Sequence, residues 1–171
     1  MLSALVLLRH AAAAEPTASE HLDAAEARRA SAIADVLQLY SPTVLLSAPD
    51  RVCVDTLAPL AERLGLRTTV SGDLAADTPE FPDGGPAPAA AWLASRALRA
   101  LPEERRTAVV CAEGVVLAAL LVAVAARDDH DLSGYGLARS WYGPQSPPPG
   151  GGWVLHREGG RLFDVKTVAP R

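Results

Sequence analysis

The chain has 171 residues, 49% of them hydrophobic and 21% charged, which is enough for one domain with a sizeable core and too apolar for a disordered segment. Sixteen Lys and Arg against 20 Asp and Glu leave a formal net charge of -4, which argues against general affinity for nucleic-acid polymers or anionic membrane surfaces, so any phosphate-binding site must be local. Two cysteines, Cys53 and Cys111, make neither a disulfide framework nor a zinc spacing; a reducing, cytoplasmic setting fits, and neither cofactor nor metal is called for.

The apolar start, Met1 to Leu8, lacks a basic leader and a small-residue cleavage site, so no signal peptide is read there. Ala4 to Leu8 is an unbroken apolar run, too short for a buried helix, that ends on Arg9 and His10. Such a run predicts a central parallel strand covered on both faces, with the charged pair at its C-terminal end, where open α/β sheets bind ligands. A loop, 11–21, follows. Asp23 with Glu26 three residues on resembles a capping box, and Ala30, Ile33, Ala34 and Leu37 continue a helix that Ser41-Pro42 stops. Thr43 to Leu46 predicts a second strand, after which Asp50 can cap a helix carrying Cys53, Leu57, Leu60 and Leu64 as far as Gly65.

Thr68 to Val70 reads as a short third strand and 71–88 as a long loop rich in Gly, Pro and Asp. Trp92, Leu93, Ala97 and Leu101 pattern a third helix, and Ala108 to Cys111 a fourth strand with the two-sided apolar character of the first. The helix 113–126 is apolar almost all round, so it should be covered on more than its sheet side, by the chain itself or by a partner subunit. Its apolar run is too short to span a bilayer. After an irregular stretch, 128–152, Trp153 to His156 and Leu162 to Val168 predict a hairpin across Glu158-Gly159-Gly160. Alternating strands and helices without a repeat or linker predict a three-layer α/β/α sandwich with a mostly parallel sheet.

Leu7-Leu8-Arg9-His10-Ala11, the turn Ser47-Ala48-Pro49-Asp50-Arg51 leading to Asp55-Thr56, and Val109-Val110-Cys111-Ala112-Glu113-Gly114 resemble, in order and spacing, the histidine phosphatase (phosphoglycerate mutase-like) superfamily. Leu22-Asp23 and Trp153-Val154-Leu155 resemble its small phosphohistidine phosphatase-like branch. The resemblance implies that His10 is a phosphoryl-accepting nucleophile and Arg9 a phosphate clamp, with Arg51 and His21 as further candidates for binding substrate. It also implies departures. Val52 stands where the family has a second arginine, with Arg51 one residue early; Glu113 replaces the second histidine; Ala76, beside Asp77, replaces the usual acid.

Two functions follow as expectations. One is a phosphatase of a small phosphorylated molecule or a phosphohistidine protein, working through His10 with weakened or lost activity. The other is a pseudophosphatase that binds or regulates. A homodimer is compatible with either, and an Arg51 directed away from the site favours the second. Cys111, at a strand-to-helix turn, offers a rival nucleophile, but Leu117 breaks the C-x5-R phosphatase loop and a small buried core residue fits better. His130 and His156 read as surface histidines, and Gly150-Gly151-Gly152 lacks the following helix that a phosphate loop needs.

Overall fold

The computed structural model describes residues 1–13, 16–82, 84–137 and 147–170. Among them the strands and α-helices alternate as β1 (Leu2–Arg9), α1 (Ala24–Leu37), β2 (Val44–Ser47), α2 (Arg51–Leu64), β3 (Thr68–Val70), α3 (Pro86–Ala100), β4 (Ala108–Ala112), α4 (Gly114–Arg127), β5 (Gly152–Glu158) and β6 (Arg161–Val168). They build one sheet in the order β3-β2-β4-β1-β5-β6. The β1–β4, β2–β4 and β2–β3 pairs are parallel, whereas β1–β5 and β5–β6 are antiparallel.

The side of the sheet on which each helix lies follows from handedness. Right-handed crossovers that step from β1 to β2 to β3 in one direction put α1 and α2 on the same face; the step back from β3 to β4 puts α3 on the other. The packing agrees, α1 against α2 and α3 against α4. Between these layers Leu5, Leu7, Leu8, Val109 and Val110 are fully buried. No helix among the described residues is long and apolar enough to cross a membrane.

Several expectations are refined. Asp23 and Glu26 do close a capping box on α1, but Asp50 sits at the N-cap of α2 without a hydrogen bond from its side chain to the helix. The long loop 71–88 gives way to a short 3-10 turn, Gly72–Leu74, and to α3, which begins already at Pro86. Trp92 is not on the buried stripe of α3 but 41% exposed, beside Leu93 at 5%. Helix α4 is covered by α3 on one flank, yet Val115 and Val122 remain exposed. Part of the irregular stretch 128–152 lies outside the described residues.

Candidate active site

Two chain ends meet at the centre of the sheet. The connection after β1 leaves toward one face and that after β4 toward the other, so a crevice opens at their shared C-terminal edge, the usual ligand position in such sheets. The parallel register pairs Leu8 with Cys111 and Arg9 with Ala112. One residue further, His10 and Glu113 come side by side, with His10 Nε2 3.2 Å from Glu113 Oε1. That is an ion-pair distance, but the atoms are out of line for a hydrogen bond. Neither ring nitrogen of the fully buried His10 has a hydrogen-bond partner among the described residues.

The backbone around this pair is pinned from three sides. Arg9 N–H donates to the Gly151 carbonyl at 2.8 Å, and Gly150 N–H donates to the His10 carbonyl at 3.0 Å. From α2, the Thr56 hydroxyl accepts the Ala11 N–H at 2.9 Å. Arg29 caps the Ala11 carbonyl at 2.6 Å. Gly152 must be glycine here, because a Cβ at that position would run into the Leu7 carbonyl oxygen. The Arg9 guanidinium is 8% exposed and donates Nη1 to the Pro147 carbonyl at 2.8 Å, while its Nε has no partner among the described residues. Nothing in the sequence signals that a loop carbonyl takes up this arginine.

In front of the pair lies a cavity of about 540 Å³, whose walls include Asp50, Asp77, Glu113, Pro49, Ala76 and Val115. No Lys, Arg or His is among its described lining residues. Glu113, like Asp50, is an N-cap residue whose side chain makes no capping bond; its carboxylate is 26% exposed. The contact with His10 holds the Glu113 carboxyl below the usual carboxylate range, outweighing the opposite pull of burial, and the Arg9 charge adds to the effect. A carboxylate beside a buried imidazole, a guanidinium and a helix N-terminus has the surroundings that an incoming anion would seek.

The remaining candidates are placed as follows. Arg51 is exposed and does not line the cavity; its backbone N–H bonds the Ala18 carbonyl at 3.1 Å. Val52, where the resemblance implies an arginine, is 1% exposed in the core. His21 is exposed and turns to Asp55, with Nδ1 2.8 Å from Oδ2. Asp77 lines the cavity with Ala76, but is drawn to Arg96 at 3.7 Å. Cys111 is fully buried next to Cys53, whose thiol is pushed up by contact with Cys111, then by burial, then by the charges of Asp50 and Glu113. Two adjacent sealed thiols are core, not nucleophile. Asp50 is the cavity residue whose role sequence reading missed, since an Asp before a helix ordinarily signals a cap.

No protein-family profile matches the chain, and no curated protein matches it. Solved structures do. A mycobacterial glucosyl-3-phosphoglycerate phosphatase in its complex with VO3 matches at 20% identity and a TM-score of 0.66, over 99% of this chain and 100% of that one. A candidate phosphohistidine phosphatase from Agrobacterium tumefaciens matches at 20% identity and 0.62, over 96% and 97%. A phosphoserine phosphatase from Entamoeba histolytica, in complex with 3-phosphoglyceric acid, matches at 12% identity and 0.62, over 90% of both. With matches of this kind running nearly end to end in both partners, and with the strand order and flanking helices described above, the chain has a phosphoglycerate mutase-like fold.

Proposed function

We propose that this is a histidine phosphatase-fold domain that has lost phosphoryl turnover and acts as a small-ligand-binding or regulatory domain. One observation carries the reading: Glu113 holds its carboxylate 3.2 Å from His10 Nε2, the atom that a phosphoryl group would have to approach. Two unit negative charges about 4 Å apart repel by about 4 kcal/mol at an effective dielectric near 20. That is about a thousandfold in affinity. The lining points the same way, because among the described residues no second cation is found there: Val52 is buried and Arg51 lies outside it.

The alternative is a working phosphatase of phosphohistidine or a nucleotide, and the position of Arg9 and His10 at the end of β1 favours it. Its step is attack of an imidazole nitrogen on phosphorus, with Arg9 neutralising the equatorial oxygens. Calorimetric titration of vanadate separates the two. The proposal expects no measurable binding to the wild type, with binding appearing in Glu113→Gln and tightening further in Glu113→His. Wild-type protein that binds vanadate as tightly as Glu113→His, or that carries a phosphoryl label lost in His10→Ala, overturns it.

A further inference from the structure

We propose that the outward face of α4 is where two copies of this chain meet, their α4 helices antiparallel about a two-fold axis that crosses the helix between Leu120 and Leu121. The inference is independent of whether the phosphate site turns over. From residue 115 to 126, every position of α4 that is not buried carries an apolar side chain: Val115, Ala118, Ala119, Val122, Ala123 and Ala126. They recur at intervals of three and four residues, so they form one stripe along the helix. The solvent side of a helix ordinarily carries polar and charged residues, yet here Val115 and Val122 are 61% and 41% exposed. Toward α3 the stripe borders an apolar hollow of about 700 Å³, whose α3 wall includes Ala90, Ala91 and Ala94 and whose described lining holds no charged residue. A continuous apolar surface of this kind marks a contact.

Charge and side-chain size point to a second copy as its occupant. In a two-fold contact the same patch serves both subunits, so charges of one sign near the axis repel their own copies; this patch has none of either sign among its described residues. Size then selects the arrangement. About an axis between residues 120 and 121 the stripe maps onto itself, with Val115 over the partner's Ala126, Ala118 over the partner's Ala123, and Ala119 under the partner's Val122. Each valine meets an alanine, in both directions, and no two valines collide. A parallel pair would instead set Val115 on the partner's Val115 and Val122 on the partner's Val122, holding the helices apart. Alanine opposite valine lets the axes approach to the short end of the usual range of roughly 8–10 Å.

The extent of the face sets the strength of the association. Helix α4 has 14 residues. At about 1.5 Å of rise per residue the α3–α4 face is roughly 20 Å long, and two helices side by side make it roughly 20 Å wide. A dimer built on it buries on the order of 1,000 Å² in total, the lower limit for a specific contact. The pairing is therefore reversible, in the micromolar range.

Sedimentation equilibrium of the intact protein tests this. The wild type should pass from monomer to dimer over micromolar concentrations, and Ala119→Glu, which sets a carboxylate beside the axis on each subunit, should abolish the dimer. Val122→Ala, which leaves a gap over the partner's Ala119, and Ala119→Val, which crowds the partner's Val122, should each weaken it by roughly tenfold or more. Combining the two exchanges the side chains and again sets one valine against one alanine, so the double variant should return to within about threefold of the wild type. Thermal melts confirm that each variant is folded. A wild type that stays monomeric up to about 1 mM, a dimer that persists in Ala119→Glu, or a double variant no tighter than Ala119→Val overturns the proposal. Flotation with phosphatidylcholine vesicles covers the other occupant of an apolar face: monomeric protein that rises with the vesicles has its stripe on a bilayer, and the proposal falls.

Discussion

Glu113 and Asp128 are two partly buried carboxylates whose ionised form the fold favours. His10 and then Arg9 hold down the first; for the second, desolvation pulls upward but is overcome by bonds from Arg127 and from the Leu162 N–H at 2.8 Å. Both groups therefore titrate lower in the folded than in the unfolded chain, so the folded state binds fewer protons between the two values. Their contribution to stability is complete above the ordinary carboxylate pKa of about 4 and drains away as pH falls through the lower folded values. Denaturant melts taken from pH 6 down to pH 2 should show this loss, and Asp128→Asn should flatten it. An unchanged acid slope in that variant would mean that Asp128 is not held ionised by the fold. Val52 makes a second case. Arginine there would put a guanidinium where the present side chain is 1% exposed, at a cost of roughly 3–5 kcal/mol, as for other uncompensated buried charges. A thermal melt of Val52→Arg checks it, and little change would mean that the α2 start can swing the new side chain into the cavity. Residue identity at this position was legible from the spacing to Asp55-Thr56; the direction of the neighbouring Arg51 was not, because one step at a helix start rotates a side chain by about 100°.

At the level of elements, periodicity was a good guide where burial is two-sided or one-sided without exception. β1 and β4 stand out as short apolar runs, and α1 and α2 as stripes with proper ends at Asp23 and Gly65. The start of α3 was hidden by Pro86 and Pro88, which look like loop residues. Prolines are tolerated in a first helical turn because the N–H they lack has no partner there anyway. The β4–α4 junction was legible as a place but not as chemistry, since nothing local tells a capping carboxylate from one turned to a cavity. Two substitutions test the central strands. Leu7→Ala should cost on the order of 2 to 4 kcal/mol in a denaturant melt, through lost burial plus a cavity, and a change under a few tenths would remove β1 from the core. Gly152→Ala should be at least as damaging in spite of its small size, because the clash is with the Leu7 backbone and neither strand can yield without breaking the β1–β5 ladder.

For the molecule as a whole, the sheet order decides where stability resides. β1 and β4 lie side by side at the centre with a strand on each outer side and a helix pair on each face, so their amides are covered in every direction. β3 and β6 are the edges; β3 is only three residues long and leaves Val70 52% exposed, and β6 has exposed residues at Arg161, Phe163, Lys166 and Thr167. The site is thus carried by the two strands least able to open, while the loop after β3, which supplies Ala75, Ala76 and Asp77 to the cavity wall, hangs from an edge. Native-state hydrogen exchange should accordingly divide the chain. Amides of Leu5 to Leu8 and of Val109 to Cys111 should exchange only through global unfolding, with a free energy that falls with denaturant as steeply as the equilibrium melt, whereas β3 and the 71–77 loop should open locally with little dependence on denaturant. Exchange of the Leu5 to Leu8 amides that is indifferent to denaturant would take β1 out of the globally unfolding unit.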